Sequence, residues 1–298
     1  MRKLRIFTSV GKSAKNSVND VKLIQALINV YQRKQQLPAF AITGKCDELL
    51  EKAIADFQIN HLKSSKADSR VDAGGSTFKS LLKLLNDTFK PTAILSPDYG
   101  IVTWESEGAE GGPYHSRKLH IPSEASGLTI GRGYDLRRKS EKTIRENLTS
   151  ATIDKAYIDI LVKAAGKFGK GAEDFVINND LLDFQITPDT QKKLFKISYN
   201  HESQEVKRIC EKKDVEKLYG KTDWDKLNSY IKDILIDLKF RGDYTSSARQ
   251  IIQKSVADND IVTFKKKIKD ESHWKNVPSD RFKRRVSFID KAPSPASK

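Results

Sequence analysis

Apolar residues recur at helical spacing in three stretches near the start of the chain. In "NDVKLIQALINVYQ", Ile24, Leu27, Ile28 and Tyr31 fall at i, i+3, i+4 and i+7, one helical face, with Ser17 or Asn19 as the capping residue. In "DELLEKAIADFQINHL" the face is Leu50, Ala53, Ile54 and Phe57. In "STFKSLLKLLNDTF" it is Phe78, Leu81, Leu82, Leu85 and Phe89, with Ser76 or Thr77 as the cap. The turn-rich "KADSRVDAGG" separates the second segment from the third. The pattern predicts a three-helix core over residues 1–90. Periodicity stops at Phe89, and "KPTAILSP", bracketed by Pro91 and Pro97, reads as a linker over 91–97.

The remainder predicts a second, larger domain over 98–290. Ser96-Pro97-Asp98 has the form of a helix start: a capping hydroxyl, proline at the first helical position and an acid in the first turn. That helix is expected to run through "YGIVTWESE" to Gly108, placing Glu107 in its last turn. "GLTIGRGYDL" alternates apolar residues between glycines, as a short β-hairpin does. Beyond residue 140, "AYIDILVKAAG", "TPDTQKKLFKISY" and "LNSYIKDILIDLKF" return to helical spacing, and Thr187-Pro188-Asp189 repeats the cap-and-proline start. "KAPSPASK", 291–298, reads as a disordered tail. The fold class expected is α+β, mostly helical.

Composition narrows the function. The chain has 298 residues, enough for two cores, and a formal net charge of +15, which favours an anionic partner: nucleic acid, a membrane surface or a bacterial cell wall. Aromatics do not interleave with basic stripes and no nucleic-acid motif is present, so nucleic acid is not the expected partner. No segment has the length of a membrane span and the N-terminus has no apolar signal core, so a protein made without a signal peptide is expected. Cys46 and Cys210 give neither a disulfide framework nor metal spacing.

The stretch 104–136, "WESEGAEGGPYHSRKLHIPSEASGLTIGRGYDL", concentrates acids, glycines and two histidines. It is not a phosphate loop, because no Gly-Lys-Ser/Thr is present and "GRGYDL" lacks the third glycine of a dinucleotide loop. His115 and His120, five apart in a Pro-flanked loop, do not have metal-ligand spacing. No cofactor or metal is expected. At Glu107, the negative end of the helix dipole and burial near Trp104 both oppose ionisation. A carboxylic acid held protonated is what protonates a glycosidic oxygen. Taken alone, Glu107 is better read as a solvated residue at a helix end.

Two resemblances give these residues roles. "DVKLIQALINVY…ITGKCDELLEKAIADFQ…SRVDAGGSTFKSL" resembles the small peptidoglycan-binding domain of cell-wall hydrolases, over roughly residues 8–88. "WESEG…SGLTIGRGYDL", with "DLKFRGDYTSSARQ" and "SHWKNVPSDRFKRR", resembles the pesticin-like branch of phage-type lysozymes over nearly all of 97–290. The implied protein is a muramidase that binds peptidoglycan through its first domain. It would cleave the β-1,4 bond between N-acetylmuramic acid and N-acetylglucosamine through a lysozyme-like domain with a β-hairpin lobe and a helical lobe.

The resemblance implies Glu107 as general acid, Thr129 as the residue that positions water or sugar, and Asp135 as support for that water or the developing positive charge. Glu105 and Glu110 remain alternatives to Glu107, and Glu124 an alternative to Asp135. Carboxylates separated by a water would imply inversion. His115 and Arg117 in the insert, Arg132 and Tyr134 in the hairpin, and Arg241 and Tyr244 at a helix break are the expected sugar contacts. A lytic transglycosylase acting on the same polymer is the enzymatic alternative. The expected setting is a secreted antibacterial effector, of the type VI kind, acting in the periplasm or wall of a target bacterium; a phage endolysin is the other. An effector implies a secretion-machine carrier and an immunity protein in the producing cell.

Overall fold

The computed structural model describes residues 4–92, 95–112 and 115–293. Ala93 and Ile94 of the expected linker, Tyr114 of the insert and Ser294–Lys298 of the expected tail lie outside them. In chain order the elements are β1 (Val10–Gly11), α1 (Val18–Lys34), α2 (Glu48–Asn60), β2 (Arg70–Val71), α3 (Ser76–Asn86), α4 (Ile101–Ser106), β3 (Thr129–Ile130), β4 (Tyr134–Asp135), α5 (Glu141–Ser150), α6 (Lys155–Leu161), α7 (Gly169–Asn178), α8 (Pro188–Cys210), α9 (Lys213–Tyr219), α10 (Ser229–Arg241), α11 (Ser246–Ala257), α12 (Ile261–Lys269) and α13 (Ser279–Asp290). The fold is α+β and mostly helical, with two antiparallel two-stranded sheets, β1–β2 and β3–β4. Among the described residues no helix is long and apolar enough to cross a membrane.

The chain packs as two compact units. One comprises 1–94 and 109–191, the other 95–108 and 192–298, the division falling inside α8. These packing units and the modules expected from sequence are different partitions of the chain. In the first unit, the expected faces of α1 and α2 are buried. On α3 the buried set is Thr77, Phe78, Leu81, Leu84 and Leu85, and Leu82 is only half-buried. Gly75, not Ser76 or Thr77, occupies the N-cap of α3. Ser17 is the N-cap of α1, but its hydroxyl donates to Asp20 (2.8 Å), whose carboxylate also accepts from Phe7 N–H and Thr8 N–H.

The loops of this unit are tied by buried amides. Gln58 of α2 donates to the carboxylate of Asp68 (2.7 Å), Arg70 O (2.9 Å) and Thr77 Oγ1 (3.2 Å), and its carbonyl accepts from Asp68 N–H and Ser69 N–H. That side chain fixes "DSRV" so that Val71 pairs with Val10. Gln25 of α1 holds the "TGK" turn in the same way, through Thr43, Gly44 and Lys45. These glutamines are the polar letters of the quoted motifs, and their contacts are structural. Thr77 is buried and loses a partner while the half-buried Arg70 carbonyl loses a donor, so Gln58→Ala is expected to cost about 1–3 kcal/mol of stability, read as a lowered urea midpoint. Arg33 of α1 is bound to Asp180 (2.6 Å) and Asp183 (2.7 Å), so α1 is anchored on the segment after α7.

The second unit is built on a core that includes Trp104, Phe195, Tyr199, Leu235, Leu238, Ile252 and Phe264. The expected helix start at Ser96-Pro97-Asp98 is overturned. Asp98 pairs with Lys192 instead (2.9 Å), and α4 begins after Gly100, whose φ is +70°. A Cβ at Gly100 would lie 2.3 Å from the Tyr199 ring, so both the conformation and the space demand glycine. Asp233 fixes this entry by accepting from Gly100 N–H (3.3 Å) and from the Tyr199 hydroxyl. Thr187 and Pro188 do start α8, with Thr187 Oγ1 accepting from Thr190 N–H (3.1 Å).

Candidate active site

In the first unit the hairpin forms where the sequence predicts it. Thr129 pairs with Asp135, and Ile130 with Tyr134. Leu136 N–H donates to Leu128 O (2.9 Å), one position outside the Thr129–Asp135 pair. That pair is therefore of the non-hydrogen-bonded kind, in which facing side chains stand closer. The structure thus brings Thr129 and Asp135 together on one face. Asp135 is oriented by two backbone donors, Arg137 N–H (2.7 Å) and Gly127 N–H (3.3 Å). Thr129 is 4% exposed and its hydroxyl donates to Gly127 O (3.3 Å), so, unlike the half-buried Asp135, it would meet a water or sugar only after a change of conformation. Gly127 admits no side chain, since a Cβ would sit 2.1 Å from Asp135 Oδ1.

His120 supports the hairpin from outside. It exchanges two backbone hydrogen bonds with Thr129 (2.8 and 3.1 Å). Burial pushes its imidazole down to about 4, although the Lys118 carbonyl at 3.1 Å opposes that shift. The native ring therefore stays neutral while the unfolded chain, with its ordinary value of 6.5, takes up a proton. Stability is expected to fall as pH drops from about 6.5 to about 4, by roughly 2–3 kcal/mol from this group. Thermal unfolding across that range should show the slope, and His120→Gln should remove it.

The insert that precedes the hairpin is internally satisfied. His115 is 1% exposed; its Nδ1 accepts from Gly111 N–H (2.8 Å) and its Nε2 lies 3.3 Å from Gln185 Oε1. Burial first, and then nearby Arg117, lower its pKa. Arg117 is 4% exposed and donates to Glu110 (2.9 Å), Ile186 O and Lys90 O. Tyr134 is buried, its hydroxyl accepting from Asn147 (2.9 Å), and Arg132 is 3% exposed. Burial commits these residues to the framework around the hairpin, and a sugar would reach them only after a change of conformation. Glu110 is held by Arg117, whereas Glu124 is exposed.

In the second unit Glu107 is the C-cap of the six-residue α4, one position past the last turn that the sequence predicts for it. Its Oε1 accepts from Arg281 Nη1 (2.7 Å), and the side chain is 21% exposed. Glu105 is exposed. Behind Glu107 lies a charged cluster that the sequence reading did not single out. Asp237 of α10 is fully buried and receives Arg285 Nε (2.6 Å) and Arg281 Nη2 (2.7 Å) from α13. Arg285 Nη2 continues to Asp243 (2.8 Å), which also pairs with Arg241. Burial alone would raise the pKa of Asp237, but the guanidiniums of Arg285 and Arg281 outweigh it and hold the carboxyl below its ordinary value.

The signal for this cluster was an acid inside the apolar run "DILIDL" and two arginines four apart on one helix. Of the two expected contacts at the helix break, Arg241 is half-buried and donates to Asn276 O (2.7 Å) as well as to Asp243. Tyr244 is buried, with its hydroxyl on Gln253 and 3.4 Å from Cys210 Sγ. Both cysteines are free. Among the described residues no group of three or more His, Cys, Asp or Glu could hold a metal ion.

Fold and sites together define a mostly helical α+β protein with an acid–arginine cluster in one packing unit and a Thr–Asp hairpin in the other. Residues 100–286 match the family described as a domain of unknown function (DUF8812), and the chain belongs to that family. The match includes Glu107, Thr129, Asp135, Asp237, Arg281 and Arg285, and leaves α1–α3 outside it. No curated protein matches the chain.

Proposed function

We propose that this protein is a peptidoglycan hydrolase of the muramidase type, cleaving the β-1,4 bond between N-acetylmuramic acid and N-acetylglucosamine. The observation that carries the reading is the Thr129–Asp135 register pair, which puts a hydroxyl and a carboxylate side by side on a hairpin. A Glu at a helix end is the second support. In this reading Glu107 is the general acid. Arg281 engages Oε1, and the Glu107 carboxyl gives its proton to the leaving glycosidic oxygen. Asp135 and Thr129 orient the water that attacks the anomeric carbon, Asp135 taking its proton. Asp237 and Arg285 keep Arg281 in place.

The architecture that goes with this reading is a peptidoglycan-binding module in the first ninety residues and a lysozyme-like module after it. The biological setting proposed is antibacterial: delivery by a secretion machine to the wall of another bacterium, with an immunity protein protecting the producer.

The hairpin pair gives the test. Dye release from labelled, purified sacculi should fall by about 10²-fold or more for Asp135→Asn, and less for Thr129→Val. Equal rates for wild type and Asp135→Asn would remove Asp135 from the reaction and leave Glu124 as the carboxylate to examine.

A further inference from the structure

Two open depressions lie side by side in the first packing unit. The larger, about 720 Å³, is bounded by the N-terminal segment, the start of α1 and one side of α7. The smaller, about 440 Å³, is bounded by the Gly166–Gly171 loop and Glu124. Lys170 lines both, so they adjoin at the first turn of α7. Each holds a large aromatic turned outward: Phe7 is 71% exposed and Phe168 50%. Each ring carries an arginine, with Arg5 4.6 Å from the Phe7 centroid and Arg137 4.2 Å from that of Phe168.

Neither aromatic is a loose surface residue. Phe7 N–H is bound to the buried carboxylate of Asp20 (3.1 Å), and Phe168 forms an antiparallel bridge with Gly127. Gly127 N–H and Arg137 N–H are the two backbone donors to Asp135. The smaller depression therefore adjoins the hairpin, and the larger one extends away from it. An exposed phenylalanine fixed by the backbone adds nothing to the core, so a pair of them in adjoining hollows is informative.

The geometry points to one extended groove that holds a peptidoglycan strand, running from the hairpin past Phe168 and Lys170 to Phe7. This rests on the wall-hydrolase reading above and names the surface that holds the polymer. Rings and N-acetyl methyl groups of the glycan pack on the two phenylalanines, and stem-peptide carboxylates meet Arg5 and Lys22. Among the described residues neither of those two cations has an acidic partner, whereas Lys170 is paired with Asp174. The mixed lining favours this occupant over nucleic acid. Asp174, Glu173 and Glu124 would face closely spaced phosphates, but they can accept from the hydroxyls and amides of a glycopeptide with sparse charges.

The test is co-sedimentation of the full chain with purified insoluble peptidoglycan, in the cold, with the bound fraction measured against polymer concentration. Wild type should sediment, and Phe7→Ala/Phe168→Ala should bind about tenfold more weakly. Arg5→Glu/Lys22→Glu, which leaves both aromatics in place, should weaken binding in a salt-dependent way. A wild-type melting temperature in either variant shows that the loss is one of binding. If wild type sediments and both variants sediment equally well, the groove is wrong and the wall reading stands. If wild type does not sediment, the strand is not the ligand. If single-stranded DNA displaces the protein at a lower concentration than soluble glycan strands do, the occupant is a nucleic acid and the inference is overturned.

Discussion

Glu107→Gln is expected to slow sacculus solubilisation by about 10²–10⁴-fold while the protein stays folded. The amide matches the carboxyl in shape and can still accept from Arg281 through its oxygen, but it has no acidic proton for the leaving group. Arg281 keeps its second carboxylate, Asp237 at 2.7 Å, so no guanidinium is stranded in the interior. The loss should appear in kcat, with wall binding unchanged, because the interaction removed is made in the transition state. Two companions discriminate among the acids. Glu105 is exposed and Glu105→Gln should be silent. Glu110 is paired with buried Arg117, so Glu110→Gln should lower stability before it touches rate. If Glu107→Gln keeps its rate and Glu105→Gln loses it, the acid is Glu105.

Asp237→Asn carries the largest expected change in stability, a loss of about 3–5 kcal/mol. The substitution is nearly isosteric, and Arg281 keeps Glu107 while Arg285 keeps Asp243, yet the charge shared by both arginines is replaced by an amide that presents donors of its own. Both arginines are buried, at 7% and 1% exposure, and water cannot replace the lost charge. With a total stability of order 5–15 kcal/mol for a domain, the variant should be marginal at room temperature. Denaturant titration of the two proteins checks the loss.

The pH dependence is a second readout of the same site. The native pKa of Asp237 lies below its ordinary value of 3.8. Its contribution is therefore complete above about 3.8 and is lost as pH falls through the lower native value. Wild type should lose stability in strong acid, and the variant should lack that part of the loss. An unchanged denaturant midpoint in the variant would mean that the cluster contributes nothing.

The legible parts of this fold are those set by local chemistry. The faces of α1 and α2, the Thr187–Pro188 start of α8 and the 129–135 hairpin each depend on residues within about two turns of one another. The β1–β2 sheet was not legible, because two-residue strands have no periodicity and are paired by distant Gln58. The Ser-Pro-Asp start failed because long-range partners overrode it: Lys192 takes Asp98, and Tyr199 and Asp233 set the entry at Gly100.

At the candidate site the same division holds. Thr129 and Asp135 are neighbours across a short turn, and their pairing follows from the alternation of "GLTIGRGYDL". His115 and Arg117 sit among glycines and a proline, which reads as an open loop. Their burial comes from Gln185, Ile186 and Lys90, at least 25 residues away in the sequence. The pairing of Asp237 with Arg281 and Arg285 bridges α10 and α13, and only the oddity of an acid on an apolar face marked it.

Hydrolysis of the muramic glycosidic bond by this chain is tested most directly by the groups left at the cut ends. Purified peptidoglycan is digested with wild type and with Glu107→Gln, reduced with borohydride and separated, and the termini are identified by mass. The expected result is new reducing N-acetylmuramic acid ends with wild type and a rate at least about a hundredfold lower with the variant. Anhydromuramic ends would make the protein a transglycosylase, and free stem peptides or an undigested polymer would contradict glycan hydrolysis altogether.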